Sequence, residues 1–364
     1  MIEKFHSEKT YKDTARLFIG ITAYHRFEFA LIAEQLAPCR NILLELVLPG
    51  ENRKPSKYDE LFLDRSTLTI ERYFFHQQSE RKLIDERLAA IAARHSIKEI
   101  LVAQDLDARM QYCATFFRCP VTIVEDGFAS YIQTVDPWRV AKRLATYRLF
   151  LGAARYPNWR GIGYFPAERY FAFDSEHAFP RVLDRQRVIQ IEIPSAPLVE
   201  ISTEERRALI VITQPLREVG VASEEDENEI LNALGCIAAS LGIALLIRSH
   251  PGESASDAAR RAECLRRHGA MVDSTSLSRF EVIEEAFVGR SVPPIFGFHS
   301  TALLNARRIN PKSRVLSAVN WLSSAKPRVR QAYVDTLAKA GVEVLSDLQE
   351  LRIELQSLFG AKDN

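Results

Sequence analysis

In both halves of the chain, short, largely apolar runs alternate with stretches of helical period, and few folds accommodate that alternation. In the first half the runs fall at residues 17–22 (LFIGIT), 41–48 (NILLELVL), 99–103 and 121–124, with a further strand expected over 68–75. A run with no polar residue at every second position reads as a strand covered on both faces, the situation of a parallel sheet. Between these runs, helical period is expected over 27–36, over 80–95 through Leu83, Ile84, Leu88, Ile91 and Ala92, and over 106–117. The pattern restarts after residue 208. Strands are expected at 209–213, 243–247, 271–272 and 292–296, and helices at 227–240, 255–267, 280–287 and 302–308. At 364 residues the chain is longer than one core usually serves, so two α/β domains are expected. Residues 180–205, punctuated by Pro194 and Pro197, read as the crossing between a domain over 1–200 and one over 201–364.

Charge narrows the function classes. Lys and Arg number 48 against 47 Asp and Glu, which argues against a bulk nucleic-acid binder and requires any basic surface to be local. One segment, 138–160, is concentrated and basic, with Arg139, Lys142, Arg143 and Arg148 interleaved with aromatic residues and no acid. Such a segment suits an anionic acceptor or an anionic membrane surface, and equally a solvated helix face. The acidic run 224–229 opens a helix, where it complements the macrodipole. Five scattered cysteines without a CxxC read as core thiols of a reducing compartment. No leader-like or membrane-spanning apolar window is present, so a cytoplasmic protein is expected, with peripheral contact to the inner face of the cytoplasmic membrane left open.

Three groups of reactive residues fall at or just after strand ends, where doubly wound sheets keep their ligands. Glu125-Asp126-Gly127 follows the run 121–124, His250-Pro251 follows 243–247, and His299-Ser300-Thr301 precedes the helix 302–308. Paired carboxylates suit proton abstraction from a hydroxyl, since repulsion and burial raise the pKa of one of them. Pro251 biases His250 away from helix and so holds the imidazole at the loop mouth. Ser300 and Thr301 offer hydroxyls and helix-start N–H groups to one phosphate. Each group also has an ordinary structural explanation, as an Asx turn, a capped turn or an N-cap. His25, at the end of the first strand, reads as a satisfied structural histidine or as a site residue. Asp105-Leu106-Asp107 has the form of a metal-holding acid pair but opens a helix without an evident third ligand. Neither a GxGxxG after a strand nor a Walker sequence occurs, which weakens dinucleotide and ATP binding. Two consecutive α/β domains facing a central cleft suggest, by fold-level analogy, two Rossmann-like domains of the GT-B type.

In their order, these motifs resemble the bacterial sialyltransferases, the group of capsular polysialyltransferases and lipooligosaccharide sialyltransferases. Those families are marked by an acid-acid-Gly motif, His-Pro and a Ser-Ser/Thr pair, here Glu125-Asp126-Gly127, His250-Pro251 and Ser300-Thr301. Thr213-Gln214-Pro215-Leu216 and Phe280-Glu281-Val282-Ile283 also look like family features, and the resemblance spans residues 15–320. It implies a metal-independent, inverting transfer from CMP-sialic acid to a glycan, with no cofactor, the acceptor on the amino-terminal side and the donor in the carboxy-terminal domain. Glu125 would be the general base and Asp126 would orient its turn. His250 would assist the leaving CMP phosphate, Ser300 and Thr301 would hold it, and Gln214, Pro251 and Glu281 would belong to the donor site. Two other readings fit the same motifs: a transferase of CMP-Kdo or another nucleotide sugar, and a non-catalytic nucleotide- or glycan-binding protein.

Overall fold

The computed structural model describes residues 13–47, 55–69, 78–103, 110, 113, 116–132, 167–194, 202, 205–217, 221–288, 292–322 and 327–360. The chain forms two compact units. The first holds Met1–Asp126 and Val135–Glu192, and the second Gly127–Thr134 and Ile193–Asn364. The main division falls after Glu192, and eight residues from the first half, 127–134, belong with the second unit.

The first unit carries β1 (Asp13–Gly20), β2 (Arg40–Val47), β3 (Asp64–Thr69), β4 (His95–Val102), β5 (Val121–Val124), β6 (Arg169–Ala172) and β7 (Val188–Gln190). They form one sheet in the order β3-β2-β1-β4-β5-β6-β7, every neighbouring pair parallel. Helices α1 (Ala23–Gln35) and α2 (Gln78–Arg94) connect strands of this sheet. The strand expected at 68–75 lies earlier, at β3, and residues 70–75 fall outside the described residues. The strand expected at 99–103 begins four residues sooner, because the polar start of β4 pairs with β1 from Asp13↔His95 onward.

Helix α1 is buried without a break from His25 to Ile32, the mark of a helix covered by protein on all sides. Phe18 of β1 meets Phe29 of α1 with ring centroids 5.2 Å apart, and both rings are fully buried. Burying a phenylalanine of this kind stabilises the fold by roughly 2–3 kcal/mol. Arg26, equally buried, donates to Glu45 Oε1 of β2 at 2.7 and 3.2 Å. These contacts fix the first turn of α1 against the carboxyl ends of the strands.

The second unit carries β8 (Leu209–Ile212), β9 (Leu245–Arg248), β10 (Val272–Asp273), β11 (Ile295–Gly297), β12 (Val315–Ser317) and β13 (Glu343–Val344). Their order, β10-β9-β8-β11-β12-β13, again has parallel neighbours throughout. Around this sheet run α3 (Glu224–Leu241), α4 (Ala255–Arg266), α5 (Thr301–Ile309), α6 (Pro327–Lys339) and α7 (Leu348–Phe359). Both sheets place their first strand centrally with successive strands added to either side, the doubly wound arrangement. Consequently the loops after β9, β8 and β11 are neighbours at one edge, and these loops carry His250, Gln214 and Ser300.

One expected element is absent. Residues 280–287 do not form an α-helix; two 3-10 turns, Ser276–Arg279 and Ile283–Phe287, stand there instead. Arg248 stands against these turns, its guanidinium donating to the carbonyls of Leu277 at 2.7 Å, Phe280 at 3.1 Å and Glu281 at 3.0 Å. The carbonyls of Phe280 and Glu281 point at the guanidinium, and the Glu285 N–H goes instead to the Val282 carbonyl at 3.2 Å, an i→i+3 bond. Among the described residues no helix is long and apolar enough to cross a membrane. The basic segment with Arg139, Lys142, Arg143 and Arg148, the pair Asp105 and Asp107, and most of the helix expected over 106–117 lie outside the described residues.

Candidate active site

The acid motif sits at the carboxyl end of β5. Glu125 is fully buried. Its Oε1 accepts from the Tyr24 hydroxyl at 3.1 Å and its Oε2 from the Phe173 N–H, just past β6, at 3.0 Å. Its neighbour Asp126 keeps 28% of its side chain exposed and meets His25 Nε2 at 3.1 Å. The tautomer of His25 follows from its other nitrogen. Nδ1 accepts from the N–H groups of Ile21 at 3.1 Å and Thr22 at 3.3 Å, so the ring proton resides on Nε2 and is donated to Asp126. Thr22 Oγ1 in turn accepts from the His25 N–H, which makes His25 the reciprocal member of a capping box on α1. Two consecutive residues of the first helical turn therefore hold two consecutive acids. His25 is both the structural residue and the site neighbour that the sequence left as alternatives; Tyr24 carried no signal in the sequence.

Directly after Asp126 the chain enters the second unit. Gly127 has φ +57°, and a Cβ there would lie 2.2 Å from Thr301 Oγ1. Phe128 donates its N–H to that hydroxyl at 3.2 Å. The Phe128 ring meets Tyr333 edge-on at 5.2 Å, and Tyr333 lies over His299 at 4.4 Å.

The His-Pro loop is held from below by Glu253. Its side chain is wholly buried and accepts from Thr213 Oγ1 at 2.7 Å and from the His250 N–H at 3.0 Å. Arg261, equally buried, pairs with Glu253 at 3.2 Å and with Glu227 at 2.8 Å. Glu227 thus does more in the acidic helix start than complement a dipole. Above this ion-pair chain, Gly252 donates its N–H to His250 Nδ1 at 3.0 Å. That bond fixes the neutral imidazole with its proton on Nε2. His250 is exposed on its outer side, Pro251 beside it is exposed too, and crowding by the surrounding protein lowers the imidazole pKa while the charge of Glu253 opposes that shift.

Ser300 is the N-cap of α5, its Oγ accepting from the Ala302 N–H at 3.2 Å. Thr301 Oγ1 accepts as described. Because both hydroxyls accept from an N–H, each keeps its own proton to donate. Gln214, past the end of β8, is buried and accepts from the His299 N–H at 2.9 Å, closing the edge between β8 and β11. His299 is pushed down to about 4, first by burial and then by the charge of His250, so it is neutral near pH 7. Glu281 is fixed through its backbone, by Arg248 on its carbonyl and by Glu285 Oε2 on its N–H at 3.3 Å. The structure therefore brings His250, Gln214, Ser300 and Thr301 to one edge of the second sheet, and Glu125 and Asp126 to the carboxyl edge of the first.

Two Rossmann-like units with this strand order define the GT-B type of glycosyltransferases and nucleotide-sugar epimerases. Solved structures agree on the fold. UDP-GlcNAc 2-epimerase from Neisseria meningitidis, bound to UDP-GlcNAc, is 12% identical with a TM-score of 0.52, covering 96% of this chain and 92% of its own. A putative UDP-N-acetylglucosamine 2-epimerase from Listeria monocytogenes is 11% identical with a TM-score of 0.58, covering 96% and 88%. UGT2 of Phytolacca americana, complexed with UDP-2fluoro-glucose and pterostilbene, is 12% identical with a TM-score of 0.51, covering 96% and 91%. No curated protein matches the chain. The model of the Alpha-2,8-polysialyltransferase (POLYST) family matches residues 77–319, and the chain belongs to that family. It is a sialyltransferase-type glycosyltransferase, acting between a nucleotide-sugar donor and a glycan acceptor.

Proposed function

We propose that the protein is an inverting sialyltransferase that carries sialic acid from CMP-sialic acid to a surface glycan, capsular polysaccharide or lipooligosaccharide, without a metal or other cofactor. The observation that carries this reading is the fixed tautomer of His250, which presents Nε2–H at the same edge of the second sheet as the Ser300-Thr301 helix start. A phosphate leaving group accumulates negative charge as its bond to the sugar breaks, and preoriented donors stabilise that charge. His250 Nε2–H and the hydroxyls of Ser300 and Thr301 supply such donors. Gln214, Pro251 and Glu281 complete the donor side in the second unit.

On the acceptor side, the first unit, Glu125 takes the proton of the acceptor hydroxyl as its oxygen attacks the anomeric carbon. Asp126, held by His25, orients the turn. The basic segment with Arg139, Lys142, Arg143 and Arg148 serves the acceptor or an anionic membrane surface, which would make the enzyme peripheral to the inner face of the cytoplasmic membrane.

The test is calorimetric titration with CMP in EDTA, with UMP and GDP as controls, followed by turnover of CMP-sialic acid. Selective CMP binding that weakens at least about tenfold in His250→Ala, together with loss of turnover in Glu125→Gln, is expected. Binding of UMP as tight as CMP would remove the donor assignment, and a fully active Glu125→Gln would remove the base.

A further inference from the structure

The carboxylate assigned as base is an unusual one, since Glu125 has no exposed surface. One of its oxygens accepts from a backbone N–H and the other from a phenol. A general base must lie within hydrogen-bond reach of the proton it removes. The phenol that bridges to it, Tyr24, is only half-buried and keeps part of its surface in solvent. Its position is not left to chance. Tyr24 stands in the first turn of α1, beside His25, whose Nδ1 holds two backbone N–H groups while its Nε2–H holds Asp126. Gly20, at the end of β1, lets this turn approach closely, because a Cβ there would lie 2.8 Å from Phe29 and 3.1 Å from His25. The turn is thus locked to the acid motif at two successive residues, and the Tyr24 hydroxyl lies 3.1 Å from Glu125 Oε1.

We propose that Tyr24 is a catalytic residue that relays the proton between the acceptor hydroxyl and Glu125; the proposal rests on Glu125 being the base. In the transferring step the acceptor O–H bond breaks and its proton passes to Tyr24 Oη, while the Tyr24 Oη–H proton passes to Glu125 Oε1. Tyrosine is regenerated in the same event, and Glu125 ends protonated. The acceptor oxygen forms its bond to the anomeric carbon as the bond from that carbon to the phosphate oxygen breaks, with the electron pair leaving on CMP. A phenol suits this task because its oxygen accepts and donates at once without carrying a charge for longer than the step. Product release then lets Glu125 return its proton through the same hydroxyl.

The experiment compares Tyr24→Phe, Glu125→Gln and the double variant of the full chain, using CMP-sialic acid with a short α-2,8-linked oligosialic acid primer. CMP release is also followed without primer, since water is the smallest hydroxyl acceptor. Phenylalanine keeps the ring and removes only the relaying atom, so folding is preserved, and CMP affinity by calorimetry reports an intact donor side. A relay predicts a kcat at least about 100-fold lower in Tyr24→Phe, CMP affinity unchanged, and a double variant no slower than Glu125→Gln alone. Tyr24→Phe within about fivefold of the wild type while Glu125→Gln is inactive overturns the relay and leaves the base assignment standing. An active Glu125→Gln overturns the base itself, and with it the relay. Multiplicative losses in the double variant show two independent contributions and also overturn the relay.

Discussion

Glu253 shows how much of this site rests on a residue that touches no substrate in the proposed chemistry. Its buried carboxylate gathers the Thr213 hydroxyl, the His250 N–H and the equally buried Arg261 guanidinium. A buried ion pair is expensive to form, but removing one partner leaves the other charge stranded, at roughly 3–5 kcal/mol. Glu253→Gln is therefore expected to lower the unfolding free energy of the protein by about that amount, read as a shift in urea midpoint at constant slope. The variant should also weaken CMP binding, because the turn that orients His250 loses its floor; a midpoint equal to the wild type would show that Arg261 is satisfied by Glu227 alone. The sequence displayed His250-Pro251 plainly, since two adjacent residues of distinctive chemistry carry it. It could not display the floor: Thr213, Glu253 and Arg261 become one cluster only when β8, the loop after β9 and α4 are folded together. The Tyr24–Glu125 contact was hidden for the same reason, with 101 residues between the partners.

At the level of elements, the apolar runs were legible wherever a strand was long or buried on both faces. β2, β5 and β8 lie within a residue or so of the runs that announce them. β6, β7, β12 and β13 were not expected; each carries a polar or charged residue at one end, Arg169, Gln190, Ser317 and Glu343, that cuts its apolar run short. Over 280–287 the helical pattern gives way to a 3-10 turn, with the carbonyls of Phe280 and Glu281 on the guanidinium of Arg248 from β9 and the Glu285 N–H on Val282. Gly127 has a φ of +57°, a conformation that favours glycine, but the stronger reason for glycine here is steric. With Thr301 Oγ1 and Cγ2 at 2.2 and 2.6 Å from an added Cβ, the turn between acid motif and second unit tolerates no side chain. Gly127→Ala combines a left-handed backbone cost of about 1–2 kcal/mol with an overpacking cost of about 1–3 kcal/mol. It is expected to be destabilised by at least about 2 kcal/mol in chemical denaturation, and Gly127→Ala/Thr301→Ala should recover part of that stability. A double variant no more stable than Gly127→Ala would place the strain in the backbone alone.

Across the whole molecule, the chain enters the second unit twice, first for Gly127–Thr134 and again from Ile193 onward. The first visit follows the acid motif directly, so the residues that end one unit's reactive strand are covalently continuous with a piece of the other unit. That piece is held by more than the chain. Phe128 donates its N–H to Thr301 and sets its ring against Tyr333, and Arg308 lies over the Tyr131 ring at 3.7 Å. Arg–aromatic contact of this kind contributes about 0.5–2 kcal/mol, an edge-on aromatic pair about 0.5–1.5 kcal/mol and a hydrogen bond about 1 kcal/mol. A fragment of residues 193–364 keeps all of β8 to β13 but lacks these contacts, which lie around Thr301 and His299. It should fold with its parallel sheet intact, yet unfold at a stability lower by about 2–4.5 kcal/mol than the second unit within the full chain, the sum of those contributions. Hydrogen exchange of the β8 and β11 amides in the fragment and in the full chain measures the difference directly, because those central strands open only with the unit as a whole. Added peptide of residues 127–134 should restore part of the protection; equal protection in fragment and full chain would show that the first visit contributes nothing to the second unit's stability and only carries the chain.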